Sequence, residues 1–266
     1  MSSYKVLFST GSLAHLPLKE IFALARKAGF DGCDLVIQRH LDDEAYRETL
    51  AEAASILPVL ALHVPFERLR SWGNQVQALT KSVSLADEFD IPVVCFHPPS
   101  WFHLELSFLW WFRKVKDFQK ELGCCKACVA LENMPLMGGE VKRRPYVLNH
   151  FKDLIKFGVE RNLYFTFDTT HLATFEHDAI DAFLAYARTG RLKHIHLSDY
   201  AAERSHLFPG AGELPLERLL DALEEAGYDC SVSLEVAPHE MPEAPDALEA
   251  MLCEAASFLK KAGKAK

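Results

Sequence analysis

Six short, apolar, β-prone runs in this chain each close on a residue type that can hold a metal ion. Leu60-Ala-Leu-His63, Val93-Val-Cys-Phe-His97 and Lys193-His-Ile-His196 end on histidine. Val129-Ala-Leu-Glu132, Leu163-Tyr-Phe-Thr-Phe-Asp168 and Val232-Ser-Leu-Glu235 end on a carboxylate. The steps between the six are 34, 35, 36, 28 and 39 residues, close to one strand-plus-helix unit each. If the runs are parallel strands around one axis, all six side chains converge. Three imidazoles and three carboxylates in one apolar-walled funnel cannot stay unpaired, and like charges there oppose folding unless a cation joins them. Mixed nitrogen and oxygen donors suit zinc, manganese or cobalt.

The residues do not carry equal weight. A lone histidine at a strand end is more often a hydrogen-bonded structural group than a ligand, whereas carboxylates after buried strands are rarely idle. Glu132, Asp168 and Glu235 therefore anchor the reading, with His63, His97 and His196 joining them. His171 lies three residues past the strand that Asp168 closes, and His206 lies in the loop after His196. His194 shares the strand face of His196 one step deeper and reads as support or packing. His15, His40, His103, His150, His177 and His239 fall on loops or polar faces and read as solvated.

The elements that must position these residues follow from periodicity. Strand-like runs at Tyr4–Thr10, Asp31–Ile37, Pro58–His63, Pro92–His97, Cys128–Glu132, Leu163–Asp168, Leu192–Leu197 and Ser231–Val236 alternate with helical patterns. Leu18–Ala28 stops at Gly29, a C-cap signal. Leu104, Phe108, Trp111, Val115, Phe118 and Leu122 form one helical stripe, with Trp110 and Phe112 off it. Eight such units at ~33 residues each predict a single (β/α)₈ barrel over residues 1–266, with its site at the C-terminal strand ends. A doubly wound sheet would place a ligand at one switch point rather than at six strand ends.

Composition narrows the class. Hydrophobic residues at 49% and charged residues at 25% are those of a globule with a sizeable core. A net charge of −8 gives no general attraction to phosphate backbones or anionic membranes. No run of 18 apolar residues occurs, and the N-terminus lacks the pattern of a secretion signal, so the cytoplasm is the expected location. The seven cysteines, an odd number, suit reduced thiols, and Cys124-Cys125-Lys-Ala-Cys128 reads as helix end, turn and strand start.

At these residues the chain resembles the xylose isomerase-like TIM-barrel superfamily, which holds sugar and sugar-phosphate isomerases and epimerases together with endonuclease IV. The resemblance is carried by Ala28-Gly-Phe-Asp-Gly-Cys-Asp-Leu35, Leu131-Glu-Asn133, Asp168-Thr-Thr-His171, His196-Leu-Ser-Asp199, Pro209-Gly-Ala-Gly212 and Gly227-Tyr-Asp with Leu234-Glu235. These motifs span nearly the whole chain in order. In isomerases and epimerases of this kind, the residues matching Glu132, Asp168, His196 and Glu235 hold a divalent metal, and the two glutamates act as the acid/base pair. The resemblance thus implies an enzyme that moves a proton beside a ketose carbonyl through an enediolate that the metal stabilises. His171, Arg204 and His206 would hold substrate oxygens, and Trp101 and Phe102 would wall the sugar pocket.

The nearest rival is endonuclease IV. Its zinc ligands match His63, His97, Glu132, Asp168, His171, His196, His206 and Glu235, but its aspartate two residues before the loop histidine is Arg204 here, so the resemblance implies one or two divalent ions rather than three. The stretch after His63 and the continuation after Leu131-Glu-Asn also depart from that pattern. No basic stripe interleaved with aromatics is present, which argues against a nucleic-acid partner. A non-catalytic metal- or sugar-binding barrel is the third reading, and it has no use for a carboxylate pair in acid/base positions. The cluster Lys142-Arg143-Arg144 reads as a solvated loop or a phosphate contact. Trp110 and Phe112 suggest a subunit contact and a homo-oligomer.

Overall fold

Along most strands of this chain, large apolar residues alternate with small or polar ones, and that alternation builds the fold. The computed structural model describes residues 4–101, 105–138, 142–175, 178–202 and 204–261. Phe102, His103, Leu104, His177 and the lysine-rich C-terminal tail lie outside the described residues. The strands are β1 (Lys5–Ser9), β2 (Gly32–Val36), β3 (Val59–His63), β4 (Val93–Phe96), β5 (Cys128–Glu132), β6 (Tyr164–Asp168), β7 (Leu192–Leu197), β8 (Asp199–Ala201), β9 (Arg204–Leu207) and β10 (Ser231–Leu234). The first seven and β10 close a parallel barrel in the order β1-β10-β7-β6-β5-β4-β3-β2. The (β/α)₈ expectation holds.

The helices are α1 (Leu18–Ala28), α2 (Tyr46–Ala54), α3 (Gln75–Glu88), α4 (Leu106–Lys114), α5 (Phe118–Glu121), α6 (Phe151–Glu160), α7 (Thr169–Ala173), α8 (Ala179–Ala187), α9 (Leu216–Glu225) and α10 (Pro245–Lys260). Outward residues of the strands pack against them. Phe165 and Phe167 of β6, for example, meet Tyr186 of α8 at ring distances of 5.4 and 5.5 Å. Val129, Leu131, Ile195, Leu197, Val232 and Leu234 belong to the same continuous core. Each such side chain contributes about 1.5–3 kcal/mol on burial. Their inward neighbours are different: Ser9, Asp34, Cys95, Thr166, His194 and Ser233 are all wholly buried. A barrel interior is ordinarily filled by branched apolar side chains, so this polar axis marks a site.

Two elements differ from expectation. The stretch after β7 forms an antiparallel hairpin, β8 with β9, rather than an open loop. The single stripe from Leu104 to Leu122 divides into α4 and α5, because Val115 leaves helical geometry at ψ 131 and the Asp117 side chain caps the next turn by accepting from the Lys120 N–H. The break turns the stripe so that Phe108, Leu109 and Phe112 face the core. Phe112, expected at a subunit contact, is buried and stacks on Phe157 at 4.6 Å. Trp111 is half-buried, while Trp110 is exposed, with the Lys114 ammonium 3.5 Å from its ring centre. His40, expected in solvent, is half-buried.

Among the described residues no helix is long and apolar enough to cross a membrane. The seven cysteines are free thiols.

Candidate metal centre

A strand period of two puts His194 and His196, Thr166 and Asp168, and Ala130 and Glu132 on the barrel axis, and in register Asp168 sits beside His196. The upper member of each pair belongs to one cluster. Ligand-type atoms of Glu132, Asp168, His196 and Glu235 all lie within 4.8 Å of one another. Nδ1 of His196 is at its centre, 3.0 Å from Glu132 Oε1, 3.1 Å from Glu235 Oε2 and 3.9 Å from Asp168 Oδ2. Donors 2.0–2.2 Å from one ion at tetrahedral or octahedral angles stand roughly 3.0–3.5 Å apart, so the first two distances fit and the third is slightly open.

Asp168 shows how the backbone aims a ligand. It closes β6 and caps α7, its Oδ1 accepting from the His171 N–H at 2.7 Å and from the Thr170 hydroxyl at 3.0 Å. Its other oxygen, Oδ2, is buried and has no hydrogen-bond partner among the described residues. A buried, orphaned carboxylate oxygen facing an imidazole and two further carboxylates suits a cation. Asn133, one residue past β5, clips this strand end in place: its Nδ2 donates to the Asp168 carbonyl at 2.9 Å and its Oδ1 accepts the Asp168 N–H at 2.8 Å.

The second oxygen of Glu132 meets a separate set. His63 Nε2, His97 Nε2 and Glu132 Oε2 form a triangle with sides of 3.1, 3.2 and 3.2 Å. His63 donates from Nδ1 to the Val64 carbonyl at 2.8 Å, which leaves a lone pair on Nε2 pointed into that triangle. Cys95 adds its thiol, 3.2 Å from the same Glu132 oxygen. A third group, Asp168, His171 and His206, also lies within ligand reach. His171 donates from Nδ1 to the Asn133 carbonyl at 2.9 Å, and His206 stands edge-on to it at 5.2 Å.

The electrostatics ask for positive charge. Burial alone would raise Glu132, yet His196, His171 and His63 hold it well below the usual carboxylate range. Burial opposes protonation of His196, but Glu235 and Glu132 push it well above the ordinary imidazole value. His171 follows for a similar reason, burial being outweighed by Asp168 and Glu132, and reaches about 9. His97 goes the other way, to about 4, because burial outweighs Glu132. Protonated imidazoles thus neutralise the carboxylates in the metal-free protein, a role a divalent ion would take over.

The remaining sequence-selected residues lie around this cluster. Glu235 is the accessible carboxylate of its group, 22% exposed against 1% for Glu132. Arg204 is exposed at the start of β9 and donates to Glu240 at 2.6 Å. His206 holds positive φ (57°) in the same hairpin, with Nδ1 3.2 Å from the Glu235 carbonyl. Trp101 is exposed and lines an outer groove with Arg144 and Phe157, while Phe102 lies outside the described residues. A cavity of about 140 Å³ beside His97 is walled instead by Phe66, Tyr146 and Phe108. Phe66 stacks on His97 at 6.2 Å and meets His63 edge-on at 5.9 Å. Neither Phe66 nor Tyr146 stood out in the sequence, since each sits in a loop whose direction only the fold sets.

The hairpin and its following loop are held by one residue. Asp199, buried at the start of β8, accepts the backbone N–H groups of Tyr200, Gly210, Gly212 and Leu214 at 2.8–3.0 Å. A Cβ on Gly212 would lie 2.4 Å from Asp199 Oδ1, so the Pro209–Gly212 turn admits glycine there. Asp199→Ala should therefore destabilise the protein by about 1–3 kcal/mol, the cost of stranding several partly buried donors. Urea unfolding measures it; a loss below about 1 kcal/mol would show that water replaces the carboxylate.

A closed parallel barrel with a carboxylate–imidazole cluster at its C-terminal strand ends defines a (β/α)₈ protein whose clustered side chains could hold a metal ion. The chain belongs to the xylose isomerase-like TIM barrel family, whose model matches residues 22–262. An uncharacterized protein of Mycobacterium tuberculosis (strain ATCC 25618 / H37Rv) is 27% identical over 281 residues, 96% of each chain. A Streptomyces coelicolor protein provisionally named a hydroxypyruvate isomerase is 40% identical over 84 residues, 31% of this chain and 28% of that one. The structure of a D-psicose 3-epimerase with D-tagatose from Clostridium cellulolyticum H10 matches with a TM-score of 0.71 at 16% identity, covering 97% of this chain and 99% of that one. At that identity the likeness is one of fold.

Proposed function

We propose that this protein is a divalent-metal-dependent isomerase or epimerase of a ketose or ketose phosphate, with Glu132 and Glu235 as its acid/base pair. The observation that carries this reading is the placement of the two glutamates. Both stand within 3.1 Å of one imidazole nitrogen, and Glu235 opens toward solvent. A carboxylate that is both beside a ligand set and accessible can meet a substrate C–H, which is what proton transfer next to a carbonyl demands. When bound, a divalent ion supplies Lewis-acid polarisation of the neighbouring substrate oxygens. Glu235 takes or returns the proton, Asp168 and His196 hold the ligand geometry, and His171 and His206 offer donors to the sugar. Phe66 and Tyr146 keep water from one side. The family membership and the partial match to a protein provisionally named a hydroxypyruvate isomerase support the same class.

The triangle of His63, His97 and Glu132 favours a second reading, since proton transfer by itself does not need it. Two ions sharing Glu132 would suit phosphodiester hydrolysis of the endonuclease IV kind. Arg204, directed to Glu240, leaves the third donor set with three residues. One experiment separates the readings. Purified protein is analysed for bound metal, then assayed for solvent-deuterium uptake by ketoses and ketose phosphates and for cleavage of an abasic-site duplex. Deuterium uptake without cleavage is expected; cleavage with no uptake would overturn the proposal. His63→Ala should also lower bound zinc by one equivalent while leaving uptake within about tenfold, a smaller loss than removal of an acid/base group. Loss of all uptake would instead make the second ion part of the chemistry.

A further inference from the structure

One buried carboxylate lies below the cluster and takes no part in the chemistry above. Asp34 of β2 is wholly inaccessible, and its Oδ2 stands 3.2 Å from Nε2 of His196 and 3.4 Å from Nε2 of His194. The pairing of β2 with β3 shifts register between Cys33 and Asp34, the kind of irregularity that re-aims a side chain. We infer that Asp34 is a positioning residue that fixes the tautomer of His196, so that Nδ1 is the nitrogen that takes the metal. The inference rests on the proposed metal reading of His196.

A neutral imidazole has one N–H and one lone pair. Nδ1 of His196 faces Glu132, Glu235 and Asp168, so an ion among those carboxylates needs the lone pair there and the proton on Nε2. Nε2 faces Asp34 at a distance where a second lone pair would be repelled and an N–H attracted. The N–H is not aligned well enough for a full hydrogen bond, but charge attraction depends on distance more than on angle. His194 completes the device. Its Nδ1 lies 2.7 Å from Ser231 Oγ, short enough for the hydroxyl to donate, which leaves its Nε2–H for Asp34. Once an ion replaces the Nδ1 proton of His196, the protons would run from Ser231 to His194 to Asp34 and from His196 to Asp34, leaving both imidazoles neutral. Asp34 stays an anion one layer beneath the cluster and adds its charge to the attraction for a cation.

Zinc alone is the probe. Asp34→Asn keeps the shape but removes the charge, and it should weaken zinc binding 10- to 100-fold by calorimetry, as loss of an outer carboxylate partner does. Long-range ¹H–¹⁵N spectra of the zinc-loaded wild type should show His196 metal-bound at Nδ1 and protonated at Nε2. A merely structural role for Asp34 would lower the stability of Asp34→Asn but leave its zinc affinity unchanged. Zinc affinity of Asp34→Asn within twofold of wild type, or zinc on Nε2 of His196, would overturn the inference. Should the variant fail to fold, Asp34→Glu takes its place: zinc affinity unaltered by the displaced carboxylate would overturn the inference. A wild type that binds no zinc at all would sink the metal reading and this inference with it, whereas normal wild-type binding with an unaltered variant sinks this inference alone.

Discussion

Glu132→Gln should remove metal affinity and deuterium exchange together. Glu132 is the residue on which the most contacts converge: Oε1 meets His196 and His171 at 3.0 and 3.4 Å, and Oε2 meets His63 and His97, each at 3.2 Å. An amide is neutral, and its nitrogen would turn a donor toward one of the two sets. Outer partners of metal sites already cost 10–100-fold in affinity when lost, so a shared inner carboxylate should cost about 100-fold or more. Exchange should fall by about 10²–10⁴-fold from the acid/base role alone. Calorimetric titration with zinc and the deuterium assay read the two effects separately. If Glu132→Gln still bound one equivalent tightly, the cluster would be two independent sites rather than two that share a carboxylate.

Much of this arrangement can be read along the chain, for a physical reason. In a parallel barrel the outward side chains must be apolar to meet helices, so a buried run that ends on His or Asp announces a strand end. Asp168 and Glu132 were visible for that reason, and the structure brings them within reach of His196 and Glu235. Asp34 was hidden because it sits inside a strand of ordinary appearance and its partner His194 is 160 residues away. The stripe from Leu104 to Leu122 reads as one helix and puts Phe112 off its face, because its break depends on Val115 adopting extended geometry before the Asp117 cap. The hairpin of β8 and β9 is silent in the sequence because its strands are only three and four residues long, and Asp199 holds it through backbone groups that leave no mark on residue type. Arg204 stands two residues before His206, a spacing that shares one face of a regular strand, but His206 holds positive φ (57°) and the Arg204 guanidinium donates to Glu240, a partner distant in sequence. Strand ends are local facts and therefore legible; loops, tautomers and long-range pairs are not.

Glu235→Gln is the sharper test of the chemistry, because metal binding and proton transfer should part company there. The carboxylate lies just past β10, is 22% exposed and touches His196 Nδ1 through one oxygen at 3.1 Å. Glutamine presents a carbonyl oxygen at the same place, so a ligand of weaker charge remains and much of the zinc affinity should survive. What glutamine lacks is a lone pair basic enough to take a proton from carbon. Exchange should therefore fall by about 10²–10⁴-fold, which at 1.36 kcal/mol per factor of ten is roughly 3–5 kcal/mol of barrier. If Glu235 served the metal alone, affinity and exchange would fall in step. If the protein were a hydrolase with shared ions, abasic-site cleavage rather than sugar exchange would track the variant. Full exchange activity in Glu235→Gln, with zinc still bound, would take the acid/base role away from this residue and leave Glu132 without a partner across the funnel.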